Sequence, residues 1–201
     1  LSLAMTAADE GATLVNYMAV DRLLKKDGQV AGVAATDAET GRQHNLHASV
    51  VINATGVFTD SVRRLDDSRA GVTVTASQGV HIVLDRSFQP SDTAIMVPQT
   101  DDGRVLFVIP WHDRCLVGTT DTEVSEVDIE PRPMAEEIEF ILRNAARYLD
   151  HDPKQEDILS CFAGLRPLVK ADAETGGTKS ISREHSVLIS ESGLVTIVGG
   201  K

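Results

Sequence analysis

Aromatic side chains are scarce in this chain, 4% of 201 residues, so its core must be built from Val, Ile, Leu and Ala. Cysteine is nearly absent. Cys115 and Cys161 stand far apart, with neither metal-ligand nor redox spacing, and read as two buried thiols. Cations are outnumbered, 19 Lys and Arg against 30 Asp and Glu, giving a net charge of −11. Nucleic acid needs a basic face, so that class of partner is excluded. Any anionic ligand must be held by a local basic cluster set against the overall field. No apolar run approaches the ~20 residues of a membrane-spanning helix. Repeats and low-complexity tracts are missing, and His44, His47, His112, His151 and His185 show no ligand spacing, so no metal is expected.

What is present is the composition of an ordinary globular protein, 42% hydrophobic and 24% charged. Residues 1–9 read as the end of a helix stopped at Gly11, and residues 12–20 as strand. Asp27-Gly28 is a hairpin turn signal between apolar runs, and Asp37–Gly41 leads to an alternating run at 43–48, so residues 18–48 predict a three-stranded antiparallel meander. Ser49–Asn53 is a short continuous apolar run, the pattern of a strand buried on both faces. It stops at Ala54-Thr55-Gly56, and a short helix over 59–65 follows. Strand patterns at 72–76, 81–84, 93–97, 105–109 and 115–118, with turns between, predict an antiparallel sheet. Pro131 and Pro133 precede a helix over 134–149 whose Ile138, Ile141, Leu142, Ala145 and Leu149 fall at helical spacing. Residues 158–163 return to strand, interrupted by Gly164-Leu165-Arg166-Pro167. After a polar loop at 170–178 the last strands are 180–183, 186–190 and 194–198.

The tail carries the plainest signal of a ligand. An apolar strand, Val195–Val198, runs into Gly199-Gly200-Lys201, and glycine lets the main chain approach a ligand closely. The chain starts at Leu1 and stops at this lysine, from which we expect a piece of a longer enzyme. The turn Ala54-Thr55-Gly56, between a strand and a helix, is a second place where backbone N–H groups can meet a ligand. By itself it reads equally well as a tight turn. Arg166 sits in an apolar segment. A buried Arg is costly unless paired, so it needs a carboxylate partner or an anionic ligand. By spacing alone Arg183 is an edge charge, His81 a hydrogen-bonded sheet residue and Lys201 a solvated end.

Taken together, several segments resemble the FAD-dependent, quinone-linked glycerol-3-phosphate dehydrogenases. The matching residues are Val51-Ile52-Asn53-Ala54-Thr55-Gly56, Ser77-Gln78-Gly79-Val80-His81, Val108-Ile109-Pro110-Trp111, Gly118-Thr119-Thr120-Asp121, Gly164-Leu165-Arg166-Pro167, Ser182-Arg183-Glu184-His185 and Gly199-Gly200-Lys201. They cover essentially the whole chain in order. The Asn-Ala-Thr-Gly and Gly-Leu-Arg-Pro segments look like the wider D-amino-acid-oxidase type of flavoenzyme. The Ile-Pro-Trp, Gly-Thr-Thr-Asp, Ser-Arg-Glu-His and Gly-Gly-Lys segments are specific. The Gly-x-Gly-x-x-Gly turn that binds the pyrophosphate is absent, as is the family's C-terminal domain.

The resemblance implies an α+β fold of the D-amino-acid-oxidase type. Residues 1–70 would form part of an FAD-binding lobe, 71–190 an antiparallel substrate-binding sheet with its helix, and 191–201 a return strand. It implies oxidation of glycerol 3-phosphate to dihydroxyacetone phosphate, with FAD as cofactor, quinone as acceptor, and a cytoplasmic enzyme peripheral to the inner membrane. Arg166 and Arg183 would bind substrate, His81 would accept a proton, and Lys201 would stabilise charge near the flavin. Val20, Ala54, Thr55, Gly56, Gly199, Gly200 and Lys201 would contact FAD. A glycerophosphate oxidase, an FAD amine oxidase such as glycine oxidase, or a folded domain without flavin are the alternatives. An amine oxidase has no use for a second cationic cluster, so Arg183 and Lys201 argue against it.

Overall fold

A computed structural model describes residues 1–169 and 185–200. The chain falls into two compact units, Leu1–Thr55 with Thr59–Gly71 and Val187–Ile197, and Gly56–Phe58 with Val72–Ser186 and Val198–Lys201.

In the first unit, helix α1 (Ser2–Asp9) is followed by β1 (Met18–Lys26), β2 (Gln29–Asp37) and β3 (Gln43–His47), an antiparallel meander in the order β1-β2-β3. The strand expected from residue 12 starts only at Met18, because Tyr17 adopts a φ of 53° and breaks the extended run. Asp27 and Gly28 both have positive φ, 52° and 81°, the backbone of a two-residue hairpin turn whose twist matches its strands. The apolar run at 49–53 yields only β4 (Ile52–Asn53), and Ile52 is 58% exposed. It was expected to be buried on both faces. Among the described residues β4 pairs with one neighbour only, β12. Helix α2 (Thr59–Asp66) follows, as expected.

The second unit is built on β5 (Val74–Asp85), β6 (Ile95–Val97), β7 (Leu106–Trp111), β8 (Arg114–Gly118), β9 (Thr122–Val124), helix α3 (Ala135–Ala145) and β10 (Ser160–Val169). The sheet order is β10-β5-β8-β7-β6, with β9 also on β5, and the pairs are antiparallel. Two breaks expected from the sequence are not there. The expected strands 72–76 and 81–84 merge into one long strand, β5, which starts at Val74, and Gly164–Pro167 lies inside β10. Gly79 and Gly164 face each other across the ladder, so they are missing side chains rather than interruptions. Pro167 is tolerated because β10 has, among the described residues, a neighbour on one side only. One face of the sheet carries Val80, Ile82, Val108 and Val117, all fully buried with Ile141 and Ala145 of α3. Cys115 lies in this core, where burial pushes its thiol up to about 11. Cys161, expected to be buried, is exposed on β10.

The chain then returns through β11 (His185–Ile189) and β12 (Val195–Gly199), which form a three-stranded sheet in the order β11-β12-β4. Strand β12 is parallel to β4, with Val195 opposite Ile52 and Thr196 opposite Asn53. The expected loop at 170–178, the strand at 180–183 with Arg183, and Lys201 lie outside the described residues.

Candidate active site

Side chains alternate along a strand, so Ser77, Gly79, His81 and Val83 of β5 share the face opposite α3. The neighbours on that face follow from the register. Arg166 pairs with Ser77, Gly164 with Gly79, Phe162 and Gly118 with His81, and Phe107 with Gly118. Three of these positions are glycines, so the middle of the face is cleared of side chains.

Arg166 uses the space over Gly79. A Cβ built on Gly79 would meet the Arg166 guanidinium at less than contact distance. The guanidinium is held from one loop. Its Nη1 donates to the Thr120 carbonyl at 3.0 Å and its Nη2 to Thr119 Oγ1 at 3.0 Å, and Asp121 Oδ1 lies 3.6 Å from Nη1. Asp121 also accepts a hydrogen bond from Ser77 Oγ. Of the two possibilities the sequence left for Arg166, the carboxylate partner is therefore present. The pair is mostly buried, 14% and 18% exposed, so the planar fork is held in one orientation.

His81 is half-buried and lies over Gly118, where an added Cβ would strike its ring. On the other side its ring stacks on Phe162, with centroids 5.2 Å apart and planes at 12°. The imidazole is thus gripped between a bare backbone and an aromatic face. Gly79 and His81 are two residues apart on one strand, roughly 7 Å. The structure thereby brings His81 and Arg166 onto one face within reach of a three-carbon molecule.

The turn after β4 is shaped by Asn53, which is 2% exposed. Its Nδ2 donates to the Thr59 carbonyl at 3.0 Å, and its Oδ1 accepts from Thr55 Oγ1 at 2.8 Å. In the first unit Val20 and Thr55 line one apolar cavity of about 340 Å³ with Leu23, Leu46, Val50 and Ile52. Gly56, Gly199 and Gly200 have φ of 58°, 85° and 81°, and a Cβ on Gly56 would meet nothing. Left-handed glycines at or after the carboxyl ends of parallel strands are where open α/β sheets take dinucleotides, and these three glycines fit that backbone approach to FAD. A larger cleft of about 840 Å³ in the first unit carries Lys25, Arg63 and Arg69 on its wall, ion-paired to Asp66, Asp60 and Asp67.

A family model for FAD-dependent oxidoreductases matches residues 1–200. The chain belongs to this family. The mitochondrial glycerol-3-phosphate dehydrogenase of Homo sapiens is 45% identical over 209 residues, covering all of this chain and 28% of the human protein. The probable mitochondrial glycerol-3-phosphate dehydrogenase of Dictyostelium discoideum is 43% identical over 216 residues, covering all of this chain and 34% of that protein. Among solved structures, the glycerol-3-phosphate dehydrogenase from Bacillus halodurans complexed with FAD matches with a TM-score of 0.83 at 36% identity, over 97% of this chain and 37% of that one. The chain thus spans roughly a third of the length of these curated relatives.

In this FAD-dependent oxidoreductase Gly118-Thr119-Thr120-Asp121, which the resemblance suggests as support for the site, is that support: Gly118 makes room, and Thr119, Thr120 and Asp121 hold the guanidinium. Sequence reasoning did not single out Gly79, which makes room for Arg166, or Phe162, which stacks on His81. For Gly79 the signal was there, since a glycine inside a strand marks close approach by another group.

Proposed function

We propose that this chain supplies the substrate-binding lobe and part of the FAD-binding lobe of an enzyme that oxidises sn-glycerol 3-phosphate at C2 to dihydroxyacetone phosphate. Residues 71–190 form the substrate lobe, and 1–70 with 191–201 contribute to the FAD lobe. The observation that carries this reading is the placement of Arg166 and His81 together on the glycine-cleared face of the sheet. The likeness to glycerol-3-phosphate dehydrogenases along the whole chain supports it.

Val20 and Thr55 in the apolar cavity would contact the adenine end of FAD. The backbones of Ala54, Gly56, Gly199 and Gly200 would approach it closely, with Lys201 beside its reacting end. When bound, FAD supplies the two-electron acceptor, while the protein supplies orientation and charge. Arg166, with Arg183, grips the phosphate or hydroxyl oxygens and fixes which carbon is presented. His81 accepts the C2 hydroxyl proton as the C2 hydrogen leaves with its electron pair. Lys201 stabilises negative charge developing on the C2 oxygen. In this reading electrons pass on to quinone at a membrane surface, with the enzyme peripheral to it. Among the described residues no helix is long and apolar enough to cross a membrane.

The test is anaerobic reduction of the full-length, FAD-loaded protein. Glycerol 3-phosphate is expected to bleach the flavin and yield dihydroxyacetone phosphate, and glycine is expected to leave it oxidised. Bleaching by glycine alone would move the assignment to an amine oxidase.

A further inference from the structure

Helix α3 has an acidic residue on its buried side. Glu137 is 3% exposed, and its carboxylate, an acceptor only, is surrounded by four donors. Oε1 accepts from Thr120 Oγ1 at 2.9 Å and from Thr122 Oγ1 at 2.8 Å. Oε2 accepts from Gln78 Nε2 at 2.7 Å and from the Met134 N–H at 3.0 Å. The last of these caps the helix, and a cap needs nothing more. The other three come from Gln78 on the strand that carries Gly79 and His81, from Thr120 in the loop that carries the partners of Arg166, and from Thr122 at the start of β9.

Thr120 connects the two. Its hydroxyl has one proton, which goes to Glu137, so the oxygen is left to accept the Val80 N–H at 2.9 Å. The side chain is thereby clamped between α3 and β5. The carbonyl of the same residue receives Arg166 Nη1, and the preceding residue, Thr119, receives Nη2. We propose that Glu137 is a positioning residue that sets the Arg166 guanidinium through Thr120. A carboxylate suits this task better than an amide. An amide nitrogen placed among four donors would oppose at least one of them, whereas a carboxylate orients all four.

The proposal rests on Arg166 being the substrate anchor, and the experiment separates the two. In the full-length FAD-loaded enzyme, Glu137→Gln is expected to raise KM for glycerol 3-phosphate about tenfold, the size of one displaced charged hydrogen bond, with kcat within about threefold. Thr120→Val removes the linking hydroxyl and keeps the carbonyl, and it is expected to give the same KM rise. Combined with Glu137→Gln it should add less than about twofold, because both variants act on one path. Thr120→Ser, which keeps the hydroxyl, should restore KM. Thr122→Val removes a bond to the same carboxylate off the path, and should lower Tm while leaving KM alone.

If Glu137→Gln does not fold, the Thr120 pair carries the test by itself. A purely structural Glu137 would lower Tm and flavin content without moving KM, or would give additive effects with Thr120→Val. Either result overturns the proposal. Arg166→Lys is the parallel arm. If it changes KM while Glu137→Gln and Thr120→Val do not, the positioning role fails and the anchor stands. If Arg166→Lys changes nothing, both readings fall.

Discussion

Two residues with no side chain decide where the Arg166 and His81 side chains go. Gly79 leaves the space that the Arg166 guanidinium fills, and Gly118 leaves the space for the His81 ring. Gly79→Ala puts a methyl group against the end of a flexible side chain, so the strand can yield by displacing Arg166. We predict a stability loss of about 1 kcal/mol, the low end for overpacking, but a KM raised at least about tenfold. Urea unfolding and steady-state kinetics on the same preparation check it; a large stability loss with unchanged KM would contradict it. Arg166→Lys keeps the charge and loses the two-pronged fork. We predict a cost of about 2–4 kcal/mol in kcat/KM, the range for truncating one partner of a buried charged pair. At this scale the sequence was legible for residue type and silent on direction. Arg166 in an apolar segment announced that it needed a partner. That the partner is Asp121, at 3.6 Å, depends on a register between β5 and the loop after β8 that no spacing encodes.

Helix α3 shows what periodicity reveals and what it hides. The apolar positions of 134–149 predicted a packing face, and Ile141 and Ala145 are fully buried in the core. The helix ends at Ala145, earlier than expected. The same stripe includes Glu137 and Asn144, 3% and 0% exposed, four residues before Ile141 and three after it. A reading that counts only apolar positions passes over them, although a polar residue on a buried stripe is itself the signal of a network. The other end of α3 is fastened by Asp101, which accepts from Arg143 Nε at 2.7 Å and from Arg147, while its N–H donates to Asn144 Oδ1 at 3.0 Å. The hydrogen bonds from Arg143 and then Arg147 hold the Asp101 carboxyl below the usual carboxylate range. A carboxyl lowered in the folded state contributes stability that is present above its unfolded value, ~3.9, and lost as pH falls through the folded value. Asp101→Asn is therefore expected to lose stability at pH 7 and to show a smaller further loss on acidification than the parent. Urea midpoints at neutral and acid pH check this, and equal acid sensitivity in the two proteins would contradict it. In the first unit, burial raises the Asp66 carboxyl, but hydrogen bonds from Lys25, Ser190 and Ser192 outweigh it and leave it lowered, so the same sign applies there.

At the scale of the whole molecule, the chain carries a net charge of −11, so the anion recognition proposed for it falls to a few cations set in particular segments. Those segments were legible as a family pattern before any fold was known, because motifs such as Gly-Thr-Thr-Asp and Gly-Leu-Arg-Pro sit at glycine-cleared positions that tolerate few residues. The continuity of β5 and β10 was not legible, since Gly79 and Gly164 look like breaks until the register sets them opposite each other. No Gly-x-Gly-x-x-Gly turn occurs in the sequence. Such a turn supplies backbone donors and a helix N-terminus to the pyrophosphate. Residues 1–201 purified alone are accordingly expected to be colourless or to hold FAD weakly, and a yellow preparation with stoichiometric flavin would contradict that. In the proposed function the cleared face of the sheet carries the chemistry, with Arg166 as anchor and His81 as base. Single-turnover flavin reduction by glycerol 3-phosphate in the full-length enzyme tests it most directly. His81→Ala is predicted to lower the limiting rate at least about 100-fold, the lower bound for losing a positioned base, with apparent substrate affinity nearly unchanged, while Arg166→Lys weakens that affinity. An unchanged limiting rate in His81→Ala would contradict the account and leave the imidazole as a packed sheet residue.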